Sequence, residues 1–262
     1  MDPQALPDLG TILLLCVAAL MAGWVDAVTG GGGLLQLPAI LVGVPQASAA
    51  QALGTNKISG VFGTGAAAIT YARKVKLDLR TAIPMAIVAF VGALIGASTA
   101  RLLPAEVFRP IIVVLLIAVW LWTLFSPRMG AEDNIRWKGT RKHYAIAIVA
   151  GGVIGFYDGI LGPGTGSFLL IVLVAGLGYS FLSASVTAKI VNLGTNIAAI
   201  AVFGLTGSIL WTLGLLMALC NVSGAIMGAR TALTRGSGFV RAVFLVVVAL
   251  LIIRLSLDVF QT

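Results

Sequence analysis

Apolar positions run along this chain in blocks rather than in stripes. Stretches at 11–29, 47–71, 80–101, 107–126, 143–161, 181–205, 208–229 and 238–258 carry almost no charge. Each is near the ~20 residues that a helix needs to cross a bilayer at ~1.5 Å per residue. Two shorter blocks, Leu34–Val44 and Ser167–Gly178, are too short to span alone. The pattern predicts an all-α integral membrane protein of about eight long transmembrane helices plus two short half-helices in Gly-tipped hairpins. The one sizeable polar interruption sets a first membrane unit at 1–126, a connecting loop at 127–142 and a second unit at 143–262.

The two units share a register. Adding 132 to Gly23, Asp26, Gly30 and Gly32 gives Gly155, Asp158, Gly162 and Gly164. The same offset carries Ser48, Thr55, Lys57 and Ile58 onto Ser180, Thr187, Lys189 and Ile190, and Gly92 and Gly96 onto Gly224 and Gly228. One register kept across some ninety residues reads as an internal duplication.

Charge gives the hand of that repeat. The loops at 73–80, 128–142 and 230–241 hold 12 of the 17 basic residues, so all three are predicted to be cytoplasmic. The twin of the first, around Thr206–Ser208, has no charge, and the basic third loop corresponds to a weakly charged one in the first unit. Equivalent loops therefore fall on opposite faces, and the repeats are predicted to be inverted. Inversion requires an odd number of crossings per unit. Three long helices follow residue 46, so 11–45 must start and finish on one side, as a helix, a glycine tip and a short return. That accounts for "VDAVTGGGGLLQLP" at 25–38, where an acid, four glycines and a proline interrupt an apolar run. Backbone leaving the helix at membrane depth is tolerated where it is buried in protein or lines a cavity. "DGILGPGTGS" at 158–167 repeats the break with other residues.

Composition agrees with the blocks: 59% of the 262 residues are hydrophobic and 10% charged, with a mean hydropathy of +1.07. The net charge of +8 sits in short loops between apolar segments, the pattern of membrane orientation and not of a nucleic-acid face. Cys16 and Cys220 lie in apolar runs and read as packing residues. The N-terminus has two acids and no base before the first apolar run, so that run is expected to be a retained helix.

Four charged residues lie well inside apolar segments: Asp26, Asp158, Lys57 and Lys189, two pairs related by the offset. Lys57 falls about 15 Å into its helix, near the midplane, where a lysine costs at least ~2.5 kcal/mol to insert and needs a partner. It forms a structural ion pair with Asp26 or with tip carbonyls, or the two lysines neutralise an anionic substrate between them. Asp26 and Asp158, one turn before the tips, either carry coupling protons or hold the tips in place. The tips Gly31, Gly32, Gly33 and Gly164, Thr165, Gly166 offer backbone N–H groups at the starts of short helices, where anions bind and where transporter sites occur. Thr55, Thr187, Asn56, Asn192 and Asn196 are candidate donors to the same substrate, or interhelical hydrogen bonds. Gly92, Gly96, Gly224 and Gly228 read as packing contacts.

Other chemistries are disfavoured. "GPGTGS" lacks the lysine of a phosphate-binding loop, and the sole histidine, His143, lies at a loop edge. The membrane aspartates precede their glycines, unlike an intramembrane aspartyl protease. No cofactor and no metal are expected, and no enzyme activity. The partners predicted are the lipid bilayer and a small anion, with no nucleic acid; a homo-oligomer stays open.

The stretches "DAVTGGGGLLQLPAIL", "QALGTNKISGVFGTGAAAITYARK", "GFYDGILGPGTGSFLL" and "AKIVNLGTNIAA" resemble the TauE/SafE sulfite-exporter family, and look closest to its subgroup of unassigned probable transporters. The resemblance implies a secondary carrier in the bacterial cytoplasmic membrane that moves sulfite, organosulfonates or other small anions. The competing readings are an anion channel, a non-transporting membrane scaffold and an intramembrane enzyme.

Overall fold

The computed structural model describes residues 6–99 and 130–260, with 117, 120, 121 and 123–125 between them. The helix expected over 107–126 lies largely outside the described residues. The first unit runs α1 (Leu9–Thr29), α2 (Gly33–Gly43), α3 (Ala49–Ala72) and α4 (Leu79–Thr99). The second runs α5 (Arg141–Ile160), α6 (Thr165–Ile171) with a π-helical turn at Val172–Gly176, α7 (Phe181–Leu205) and α8 (Trp211–Phe260). No strand occurs among the described residues.

Local sequence sets the boundaries. Asp8 opens α1 by accepting from Thr11 N at 3.1 Å and Thr11 Oγ1 at 2.6 Å. Ser48 and Gln51 form a reciprocal cap at the start of α3, and Ser180 caps α7 through Ser183 N. The loop expected over 230–241 contracts to a sharp break at Gly236, φ 79° and ψ −178°, where two helices meet within Trp211–Phe260. The segment Arg230–Arg235 contains no helix breaker, and its threonines return hydrogen bonds to the preceding turn (Thr231 Oγ1 to Met227 O, 2.8 Å).

By length and composition, α1, α4, α5, α7 and α8 are apolar enough to cross a membrane. Helix α3 is as long, but carries Thr55, Asn56, Lys57, Ser59 and Thr64 on buried positions. Its polarity belongs to an inner helix: α3 packs against α7 and α8, and α7 packs against α3 and α4. The outer contacts use glycines. A side chain at Gly23 would run into the backbone of Asn221, and one at Gly155 into that of Ala89. Gly224 and Gly228 meet Leu20 and Trp24 in the same way that Gly92 and Gly96 meet Gly152 and Phe156. Each of these contacts between α1 and α8 has a counterpart between α5 and α4 at the 132-residue offset. Small residues allow this approach where hydrophobic driving force between helices is absent.

Both hairpins fold back. Gly43, the end of the first return, lies against the side chains of Thr11 and Leu15 in the first turns of α1. The connecting segment docks on the end of the second return. Asp133 accepts from Ser180 N at 2.7 Å and Ser183 Oγ at 2.8 Å, and the amides of Asn134 and Arg136 donate to Gly178 O and Leu177 O at 2.8 Å. Nearby, the Tyr179 hydroxyl donates to Asp78 at 2.7 Å, and Thr81 Oγ1 lies 2.9 Å from Nε2 of the buried His143. Burial works against ionisation of Asp78, but hydrogen bonds from Tyr179 and Thr81 and the charge of Lys138 outweigh it and hold the carboxyl below its ordinary value.

Candidate functional site

The two tips meet. Helix α1 ends at Gly30, whose φ of 79° is open to glycine at little cost. Gly30 touches Gly166 so closely that a side chain on either would overlap the other's backbone. Ser167 Oγ donates to Thr29 O at 2.9 Å, tying the second return to the end of α1. In the second tip, Gly162 and Gly164 also take positive φ, 81° and 86°. Gly162 leaves room for the end of the Lys57 side chain. Tyr157 holds this tip through its hydroxyl, 2.7 Å from Pro163 O.

The buried charges pair across the halves. Lys57 Nζ lies 2.6 Å from Asp158 Oδ2, and Lys189 Nζ lies 2.7 Å from Asp26 Oδ2 and also bonds the Asp26 carbonyl. This corrects the sequence expectation of Lys57 beside Asp26. The long helix of each hairpin packs mainly on a helix of the other unit, α1 on α8 and α5 on α4, and each lysine meets the other unit's aspartate. It also removes the picture of two bare cations, because both lysines are compensated. The pairs are not equivalent in access: the Asp158 side chain is 1% exposed and that of Asp26 is 18% exposed. Thr165 Oγ1 donates to Asp158 Oδ1 at 2.5 Å, whereas Thr64 Oγ1 is 3.4 Å from Asp26 Oδ2.

Between the tips is a cavity of about 40 Å³. One water needs roughly 10–15 Å³ on this scale, so the space suits a ligand of about three waters. Of the residues expected at a site, Asp26, Asp158, Lys57, Gly32, Gly33, Gly164, Thr165, Gly166, Asn56, Asn192 and Asn196 line it. Lys189 stands behind Asp26, its partner. The remainder are elsewhere. Thr55 accepts from Leu210 N at 3.0 Å and fixes the start of α8, Thr187 returns a bond to Ser183 O in its own helix, and Gly31 abuts Val247.

Sequence reasoning missed Gln36, Thr64 and Asn221, which also line the cavity. All are buried polar side chains in apolar helices, which was the available signal.

A sequence model of the sulfite exporter TauE/SafE family matches residues 15–255. The chain belongs to the TauE/SafE family. Three curated relatives match over most of its length. A probable membrane transporter protein, ORF9, of Sinorhizobium sp is 40% identical over 94% of this chain and 93% of its own. The probable membrane transporter protein YfcA of Escherichia coli K12 is 34% identical over 94% and 89%. A probable membrane transporter protein of Haemophilus influenzae is 35% identical over 87% and 88%. No solved structure matches. With its apolar helices, the TauE/SafE chain is a multi-pass membrane protein of a transporter family.

Proposed function

We propose that this protein is a secondary carrier of small anions of about the size of sulfite, built from two inverted repeats, with its site between the two glycine tips. The observation that carries the reading is the exchange of ion pairs: each half supplies a lysine to the other half's hairpin, beside a small polar cavity. Alternating access needs two halves that rock against a shared site, and reciprocal contacts at a repeat interface suit that motion. The duplicated glycine contacts support the repeat, and the positive loops support a cytoplasmic connecting loop in a bacterial inner membrane.

The charges bear on mechanism. An anion about 5 Å from one lysine would gain on the order of 3 kcal/mol at an effective dielectric near 20. The aspartate beside that lysine cancels most of this gain. Removing that negative charge restores it, a difference of roughly a hundredfold in affinity. Asp26 is the more exposed carboxylate and lines the cavity, so its charge is the one an anion meets. The family's printed name supplies sulfite as the first substrate to try, and the cavity size favours it over a longer organosulfonate.

Counterflow in proteoliposomes tests the function. Radiolabelled sulfite should accumulate against internal sulfite and not against internal taurine. Equal exchange of both, or none of either, contradicts the reading, and flux that ignores a trans gradient indicates a channel.

A further inference from the structure

The neutral side chains of the cavity carry a second inference, which rests on the anion reading above. Gln36 interrupts the apolar return "GLLQLPAILVG" and is 2% exposed; Asn221 on α8 is 4% exposed. Asn221 Nδ2 donates to Ala19 O at 3.1 Å and to Gln36 Oε1 at 2.8 Å. A backbone carbonyl can only accept, so the contact with Ala19 fixes which end of the Asn221 amide is nitrogen. That nitrogen must meet an acceptor on Gln36. The orientation of Gln36 therefore follows from a carbonyl two residues removed in the chain of bonds, and its oxygen is already taken. What remains is Nε2, buried and without a hydrogen-bond partner among the described residues, on a side chain that lines the cavity.

A buried donor without an acceptor is costly, and here a second buried amide, that of Asn221, aims it. The acceptor it lacks is the kind a ligand oxygen provides. The side-chain amides of Asn56 and Asn196, also on the cavity wall, make no hydrogen bond among the described residues. Because both lysines are compensated, neutral amides supply the directional contacts. Donors at separate positions, one of them fixed, suit an oxyanion with several oxygens better than a spherical halide.

The arm is one-sided. At the 132-residue offset, Gln36 corresponds to Phe168 and Asn221 to Ala89. The second hairpin has no such donor, so the ligand sits toward the first tip, on the side of Asp26. We propose that Gln36 is a specificity-determining ligand for one oxygen of the anion, and that Asn221 is the positioning residue that presents it.

The test uses the purified full-length protein and its thermal stabilisation by sulfite and by chloride. Gln36→Glu keeps the acceptor that Asn221 needs and the side-chain shape, but replaces the donor with a carboxylate; sulfite stabilisation should vanish while the protein still folds. Gln36→Met should weaken sulfite by about 10- to 100-fold, the loss expected for one hydrogen bond to a charged group, and should change chloride little. The double variant Gln36→Met/Asn221→Leu removes both partners and leaves no orphaned amide, so it should be at least as stable as Gln36→Met with the same loss of sulfite preference. If wild type responds to sulfite and Gln36→Met responds within twofold of it, the arm is refuted and the anion reading stands. If wild type responds to neither anion while remaining folded, the anion reading falls, and the arm with it.

Discussion

Replacing Lys57 with methionine isolates the buried pair at the second tip. The change keeps an unbranched apolar side chain of similar length and leaves Asp158, whose side chain is 1% exposed, facing protein. Thr165 still donates to it at 2.5 Å, which offsets a part of the loss. Removing one partner of a buried pair costs about 3–5 kcal/mol, because the other charge stays desolvated. For a chain of this size, that corresponds to a fall in melting temperature of roughly 6 °C or more. Adding Asp158→Asn removes the orphaned charge, so Lys57→Met/Asp158→Asn should recover about 2–3 kcal/mol of the loss. The mismatched combination, Lys57→Met/Asp26→Asn, breaks both pairs and should recover nothing. Lys189→Met should cost less than Lys57→Met, since Asp26 is 18% exposed and water reaches it. Thermal unfolding of these purified proteins in detergent measures all the differences. Recovery by Asp26→Asn rather than by Asp158→Asn, or additive losses in both combinations, would refute the exchanged pairing.

Two further predictions concern the ends of the molecule. Cysteines at Lys138 and Ser237 should react with an impermeant thiol reagent only from the cytoplasm and one at the exposed Thr206 only from outside; labelling of Thr206 and Ser237 from one side would contradict inversion. Because the folded Asp78 carboxyl is held below its ordinary value, it stabilises the protein above the unfolded pKa of about 4 and loses that contribution as pH falls further. Tyr179→Phe should therefore cost about 1–2 kcal/mol at pH 7, with the cost shrinking in strong acid; a pH-independent difference in denaturant unfolding would contradict it.

Much of this architecture is legible in the sequence because duplication and bilayer length are both periodic signals. The offset that maps Asp26 to Asp158 and Lys57 to Lys189 picks out the four buried charges without coordinates. It cannot say which aspartate meets which lysine, since both pairings respect the repeat equally. Only the fold decides that, by bringing each lysine to the hairpin of the other unit. Thr55 looks like a ligand from its place two residues before Lys57, yet its hydroxyl serves the backbone of Leu210. Gln36 and Asn221 escape a search based on the repeat, because neither has a polar twin. The helical course of Arg230–Arg235 is hidden for another reason: basic, polar residues read as a loop, although each of them is compatible with a helix.

The central claim is that a small anion binds in the cavity beside the Asp26–Lys189 pair, and the sulfite affinity of a charge variant tests it most directly. Asp26→Asn removes the negative charge that cancels the pull of Lys189, so the purified variant should bind sulfite up to roughly a hundredfold more tightly than wild type. Unchanged or weaker sulfite binding by a folded Asp26→Asn variant would contradict the account.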